Sequence, residues 1–556
     1  MRSQWSVGAH ACGMRLNEGA ELLEGRVVLT AEVSSPDSFV VDTLTDVDDN
    51  NVSSGNLSLR EAVRLANADT NTSTITFASS LFTSGDQSIT LTNFDTGLDS
   101  TEFGATAFII STDIDIVGPT GGNGLTIERA SDDTDKFRLF HVQASGDLTL
   151  DSLTLSGGSA QGGDGGPGGG GAAGMGGAIF NQGTLTVRNS ALTGNTAVGG
   201  SSSTGTYGSG GGVGQSGNNM TFFGGGPNGG TFTTAVGFGG GGRIGSGGGF
   251  GGGGGNGSQG GGPGGFGGGG GGGGAGMGGA IFNQSGTVTI SNSSFGSNTA
   301  TGGTGVNNGQ GLGGAVFTRN GNVTVASSTF SENTAAQGGG AIFAVSDSNS
   351  GTGFTGGNVT LALKNSILAN TAGGASDFAA ATTGTGSNSF SGRGNLIESN
   401  GANGFTGTIA STADPKLGSL ADNGGPTKTF ALLAGSPAID SGDSLFGATA
   451  GDFDQRGNGF DRRVKTTAGF AAIDIGAFEF KAAPVVADFE VGTLDDEDDG
   501  QTTQDADLSL REAIRLANAN ANASKITFAS SLFSSADQEI VLSLYDTGLD
   551  WPDENR

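Results

Sequence analysis

One cysteine, Cys12, and two histidines, His10 and His141, are the only thiol and imidazole ligands among 556 residues. An internal disulfide cannot form, and a zinc site, which usually takes four N or S ligands, cannot be assembled. Cysteine proteases, zinc enzymes and disulfide scaffolds are excluded on that ground. Basic residues are also scarce: 24 Lys and Arg stand against 53 Asp and Glu, for a formal charge of -29 and a sequence pI near 4.1. Phosphate backbones and anionic membrane surfaces would be repelled, which rules out nucleic acid as a partner. No apolar run approaches the ~18 residues of a transmembrane helix. The first thirty residues lack the continuous apolar stretch of ~7 to 15 residues that marks a signal peptide, so export by the general route is not readable there. What the chain has in excess is glycine, at 113 residues.

Two repeats organise the sequence. The long one aligns Leu57 to Asp99 with Leu508 to Asp550 at an offset of 451, with 31 of 43 positions identical. Ser58 and Glu61 form an S-x-x-E capping box, followed by Leu59, Ala62, Val63 and Ala66 at helical spacing; Ser509 and Glu512 repeat it. Each copy is predicted to be a short amphipathic helix leading into strands.

The short repeat lies between the copies. AGMGGAIFNQ occurs at 173 to 182 and again at 275 to 284, with GGAVF ending at Phe317 and GGAIF at Phe343. Each is followed by apolar residues at period 2, such as Val288/Ile290 and Val323/Val325, and then by [F/I/L]-x-x-N-T-A. Asn298, Asn333 and Asn370 are 35 and 37 residues apart, so one repeat is one turn of a parallel β-helix. Leu, Val, Ile and Phe are expected inside each coil. Asn195, Asn298, Asn333 and Asn370 are expected to stack as a ladder at one corner, their amides bonding the backbone of adjacent coils.

The resulting organisation is a leader region at 1–36, a helix-capped module at 37–104, a β-helix at 105–380 and a Gly/Asp/Pro-rich segment at 381–480. A linker at 481–488 and a second module at 489–556 follow. Insertions concentrate at one corner, the largest being 198–277. Between 201 and 270, 36 of 70 residues are Gly, broken by Phe222, Phe223, Phe232, Phe238, Phe250 and Phe266. So little apolar surface predicts a disordered or loosely packed loop. The second module is read either as a tethered or truncated start of another unit, or as a cap folded back on the far end of the solenoid.

Three signatures carry a family resemblance. LSLREAV and LSLREAI resemble the CSLREA module of bacterial surface β-helix proteins, with Leu57 and Leu508 where that family has Cys. GGA-I with F-x-x-N resembles the repeats of polymorphic outer membrane proteins, which are autotransported adhesins. DPKLGSLADNGGPTKTFALLAGSPAIDSGD, DQRG and DIGAFE are similar to the C-terminal segment of choice-of-anchor Q proteins. LLEGRVVLTA is similar to the LEPR-type leader of very large surface proteins, with Gly25 where Pro is usual. The resemblance implies an all-β, right-handed parallel β-helix of the pectin-lyase-like kind, displayed extracellularly or on the outer membrane. A surface glycan or protein ligand is its implied partner.

Chemistry divides the readings. A polyuronate lyase needs cationic groups near its substrate, and from 140 to 380 only Arg188, Arg243, Arg319 and Lys364 are basic, no two of them expected at equivalent strand positions. A glycoside hydrolase needs two carboxylates across a cleft. Asp113 and Asp115, alternating with Ile114 and Ile116, project from one strand face, with Glu128 or Asp147 expected beside them; the alternative is a solvated outer face. His141, within FRLFHVQ, reads as a strand residue. Acidic loops at 46–51 and 495–500 offer Asp46, Asp48, Asp496 and Asp498 as Ca²⁺ ligands, weighed against plain solvated loops. Neither is an EF-hand, since the twelfth position from Asp46 is Leu57 rather than Glu. No other cofactor is indicated. The resulting expectation is a non-enzymatic, adhesin-like or structural surface protein, with a carbohydrate-active enzyme as the alternative.

Overall fold

A computed structural model describes residues 37–542 apart from 96–101, 132–134, 206, 219–224, 226–227, 232–235, 257–260, 349–356, 374–375, 402, 444–452, 463–464, 467–468, 471, 482–486, 497–507, 520–523 and 535–538. The leader, with His10 and Cys12, most of the linker and Asp498 lie outside the described residues.

The chain is a parallel β-helix. Strands β1 (Asp37–Val41), β2 (Ser73–Phe77) and β3 (Gln87–Leu91) flank helix α1 (Leu59–Asn67) in the first module. Strands β4 (Thr106–Ile110), β5 (Asp113–Val117) and β6 (Leu125–Arg129) form the first full coil. Later coils add to three long parallel sheets, of nine strands from β1, nine from β3 and seven from β4. The apolar positions at period 2 fall in register from coil to coil. One inward column runs Ile114, Leu148, Leu185, Val288, Val323 and Leu361, and the next begins two residues later at Ile116. All of these are buried. Phe295 and Phe330 stack inside at 4.5 Å between ring centres. Coils continue past the expected limit of 380 to the Ile409–Ser411 strand, because Leu396 and Ile397 extend the buried apolar rows after the GGA and N-T-A markers stop.

The Phe of each GGA-[IV]-F does not point inward as expected. Ile179, Ile281, Val316 and Ile342 line the coil interior, whereas Phe180, Phe282, Phe317 and Phe343 stack on the outer face of the seven-stranded sheet, 5.2–5.4 Å apart. That face is covered by the described residues of the glycine-rich insertion, which form a packed layer where a disordered or loosely packed loop is expected. Phe238, Phe250 and Phe266 form their own stack, 5.6 and 5.3 Å apart, and pack edge-on or tilted against Phe282, Phe317 and Phe343.

Above the phenylalanines, glycine backbones hydrogen-bond to one another in three directions. Gly170 N donates to Gly242, Gly171 N to Gly272, Ala172 N to Gly163, Ala173 N to Gly239 and Gly174 N to Ala275. Successive residues thus serve three neighbours, and every third residue returns to the same one. This is the periodicity of a three-residue-per-turn extended helix, which has no internal hydrogen bonds and must find partners outside itself. Close packing explains the composition: a Cβ built on Gly170, Gly171, Gly241, Gly253 or Gly274 would lie 1.9–2.0 Å from a neighbouring carbonyl oxygen. Only glycine fits these positions, as in collagen. Hydrogen bonding rather than apolar burial supplies the order that composition alone does not suggest.

Beyond Ser411 the chain turns back and lies along the outer face of the second nine-stranded sheet. Thr427 Oγ1 donates to the Asn189 carbonyl (3.0 Å), Ser294 Oγ to Gln455 Oε1 (2.6 Å), and Ala477 N to Thr329 Oγ1 (2.9 Å). Ile367, Leu396, Leu432, Ile475 and Phe478 form a small apolar core beneath it. The second module repeats the first. Strands Ala487–Val491 and Ser524–Phe528 pair in parallel beside α2 (Leu510–Ala519), around Val491, Leu508 and Ala513. Both capping boxes form: Glu61 N donates to Ser58 Oγ at 3.1 Å, and Glu512 N to Ser509 Oγ at 3.2 Å.

Candidate binding groove

Each coil turns a corner between the two nine-stranded sheets with one residue in the left-handed region: Ser152, Asn189, Asn292, Ser327 and Asn365, at φ 57, 52, 46, 48 and 44°. Asn tolerates this backbone better than most residues because its short amide bonds locally. The serine that follows locks the corner. Leu153 N donates to Ser190 Oγ, Ser190 N to Ser293 Oγ, Ser293 N to Ser328 Oγ and Ser328 N to Ser366 Oγ, all at 3.2 Å. Ser366 N then donates to Asn395 Oδ1 (3.1 Å). These locking serines are buried; the corner residues beside them, Ser152, Asn189, Asn292, Ser327 and Asn365, form a row that lines the outer surface of the solenoid at the strand spacing of ~4.8 Å.

The returning segment stands beside this row and makes a groove of about 680 Å³. One wall carries Asp151, Ser291, Asn292, Ser327, Lys364 and Asn365; the other carries Pro426, Phe453, Gly457, Asn458 and Arg462. Arg188, Ser291, Ala326 and Lys364 occupy one strand register, which corrects the expectation that no two basic residues would share an equivalent position. The backbone positions of Arg188 and Lys364 in the sheet are three strand spacings apart, about 14 Å. Arg188 Nε is paired with Asp151 Oδ2 at 2.8 Å.

The second wall is fixed by buried charge. Arg456 binds Asp454 through Nε and Nη2, at 3.0 and 2.5 Å to Oδ2, and its guanidinium lies between the Phe460 and Phe478 rings, 4.0 and 3.7 Å from their centres. Glu479 N donates to Asp454 Oδ2 (2.8 Å), joining DQRG to DIGAFE. Arg462 reaches across to the coil: its Nε donates to Asn292 Oδ1 (3.2 Å) and its Nη2 to the Gly476 carbonyl (2.8 Å), while Nη1 lies 3.6 Å from Glu479 Oε2. Burial, then the neighbouring Asp474 carboxylate, pushes Glu479 up to about 8. Asp474 is raised by burial as well. Buried carboxylates of this kind are costly unless paired, so the cluster sets the position of this segment more than it adds stability.

The residues singled out in the sequence fall as follows. Asn195 Nδ2 donates to Asn298 Oδ1 (3.0 Å) and Asn298 Nδ2 to Asn333 Oδ1 (2.9 Å), all three buried. Asn370 leaves this ladder: it is exposed, adopts φ 54°, and its Nδ2 bonds Ser331 Oγ instead, because Leu368 rather than Ile367 pairs with Phe330, which puts Asn370 at the left-handed position of Glu332, one place before the ladder. Asp113 and Asp147 are register partners on adjacent strands, with Asp115 two residues along the same face. Burial first, then the Asp113 and Asp115 charges, raises the Asp147 carboxyl. Glu128 lies in the other nine-stranded sheet, bonded by Thr90 Oγ1 at 3.3 Å, so it does not join them. The three carboxylates stand on a sheet face, whereas hydrolysis needs acids on two sides of a bond. His141 is buried in the outer aromatic layer, 5.0 Å from Phe103 and bonded to Gln182. Arg319 is buried beneath the insertion, paired with Asp347 at 2.6 Å.

The calcium expectation meets a different chemistry. Asp46 is taken by Arg60 Nε (2.7 Å) and by the Thr92 and Asn93 amides, Asp48 by Arg64 Nε (3.1 Å) and Asp496 by Arg511 Nη2 (2.8 Å). These carboxylates tie the acidic loop to the capping helix. Among the described residues, no group of three or more His, Cys, Asp or Glu is placed to hold a metal ion. Comparison with protein families, with curated proteins and with solved structures returns no match. Sequence reasoning missed the groove because its second wall, residues 426–462, comes from a segment beyond the coils that form the first. The charged residues of DQRG and DIGAFE were its one visible signal.

Proposed function

We propose that this chain is a non-enzymatic extracellular or cell-surface β-helix protein of the adhesin type, and that its corner groove binds a surface glycan. The observation that supports this reading is the groove floor: hydroxyl and amide side chains repeated at the coil spacing, matched to a ligand that itself repeats hydroxyl groups. The resemblance to choice-of-anchor Q and polymorphic outer membrane proteins supports surface display. The test is retention of the full chain on an array of neutral and acidic glycans, against a Ser291→Trp variant that fills the groove from its exposed strand face. Binding by the parent and its loss in the variant at unchanged melting temperature is the expected result. Equal binding by both would place the ligand elsewhere.

A second reading, glycoside hydrolysis, is favoured by one observation, the Asp147 carboxyl raised beside Asp113 and Asp115. Release of reducing ends from a polysaccharide panel, abolished by Asp113→Asn with Asp115→Asn, would establish it in place of the first.

A further inference from the structure

In the first module, α1 grips the coil that follows. Arg60 Nη1 donates to the Ala107 carbonyl (2.8 Å), and Val63 is buried. Asn67 clamps the backbone twice, Nδ2 donating to the Ile109 carbonyl (2.7 Å) and Oδ1 accepting from Ser111 N (2.9 Å). These three residues sit at i, i+3 and i+7, on one face of the helix. Below them β2 pairs in parallel with β5, Ser73 against Ile114, Thr74 against Asp115 and Ile75 against Ile116, while β3 pairs with β6.

The second module keeps the same grip as Arg511, Ile514 and Asn518 on α2. There the face is open. Ile514 is 46% exposed where Val63 is 3%, Leu542 is 66% exposed where Leu91 is 0%, and Asn518 is exposed. Ser524–Phe528 belongs to a two-stranded sheet with Ala487–Val491, so the edge by which β2 holds β5 carries no strand among the described residues. A parallel edge that carries no further strand among the described residues, beside exposed apolar side chains, is a template for one more strand.

We propose that this face is the docking site for the first coil of a second parallel β-helix, of the same kind as residues 105–129. Its leading strand is held through Ser524, Lys525 and Ile526, and its turn through Asn518. The chain displays this occupant once already, on the matching residues of the first module. A second copy of the chain is not the occupant, because its own first coil is already covered by its own first module. The inference stands apart from ligand binding in the groove.

The test is a tandem chain in which residues 100–480 follow Asp550, which stands where Asp99 stands in the first module, read by hydrogen–deuterium exchange. In the chain as it is, amides of 524–528 and 540–542 exchange on the order of tenfold or more faster than those of 73–77 and 89–91. In the tandem chain they reach the protection of the first module. Ile514→Asp or Asn518→Ala abolishes that gain, while leaving exchange in the unextended chain unchanged. The proposal is overturned if the added coils are protected while 524–528 keeps its unextended rate, or if the added coils fail to become protected at all. Protection of the unextended chain that rises with its concentration would overturn it too, by making a second copy the occupant.

Discussion

Gly171→Ala separates a packed glycine layer from a loose loop by the sign of its effect. A methyl group at this position would lie 1.9 Å from the Gly200 carbonyl oxygen. Ordinary contact is about 3.5 Å, so the neighbouring segment must retreat by roughly 1.5 Å. Gly171 N donates to Gly272 O at 3.1 Å and Gly171 O accepts from Gly253 N at 2.8 Å, while Gly200 itself bonds Ala172 and Gly274. Two or three of these bonds open, at ~1–3 kcal/mol for each buried group left unsatisfied, for a total of about 3–6 kcal/mol. Gly121→Ala is the control: nothing lies within 4 Å of the added Cβ and the backbone φ is not positive. There the substitution restricts the unfolded chain and stabilises by up to ~1 kcal/mol. Urea denaturation with hydrogen exchange over residues 240–274 measures both variants, since the layer can open without unfolding the coil. If Gly171→Ala is neutral or stabilising like its control, the three-directional glycine packing is refuted.

Three further outcomes follow from the same geometry. Asn298→Ala breaks the bonds to Asn195, Asn333 and Leu192 inside the coil and is expected to cost ~3–5 kcal/mol in denaturation, against ~0–1 kcal/mol for exposed Asn370→Ala. Glu479, at about 8 when folded against 4.5 as its ordinary value, holds a proton that the unfolded chain releases. Its contribution is full below pH 4.5 and is lost as pH rises towards 8, so melting temperatures measured between pH 5 and 9 should decline, with a shallower slope in Glu479→Gln. Because Asp46, Asp48 and Asp496 are held by Arg60, Arg64 and Arg511, adding Ca²⁺ or a chelator is expected to leave the melting temperature unchanged; a rise of several degrees with Ca²⁺ would contradict that pairing.

The solenoid was legible because a β-helix writes its period into the chain: the V-x-V pairs and F-x-x-N corners recur once per coil, and those of the coils that carry Asn195, Asn298 and Asn333 fall in register, whereas Asn370 lands one place before the ladder. The two capping helices were legible from Ser58/Glu61 and Ser509/Glu512 for the same local reason. What escaped was information held between distant segments. The outward Phe180, Phe282, Phe317 and Phe343 signal that a second layer covers that sheet, yet strand alternation reads Ile179 and Phe180 only as neighbours on opposite faces. The glycine layer that covers them has neither a period-2 nor a helical signature, since its order comes from backbone hydrogen bonds. In the groove, the corner residues Asn189, Asn292 and Asn365 went unread, since Asn195, Asn298 and Asn333 mark a different corner, and Arg462 and Asp454 could not be placed because the chain that carries them reverses direction before it meets the coils.

Whether the groove holds a ligand without altering it is the most direct question. Any glycan that the array retains should be incubated with the full chain, its contacts mapped by saturation-transfer NMR and its mass recorded over a day. The expected result is an intact glycan whose contacts are lost in Ser291→Trp and kept in Asp113→Asn with Asp115→Asn. A shortened glycan, with cleavage lost in the double Asp variant and preserved in Ser291→Trp, would contradict the binding reading and make the carboxylate face the site.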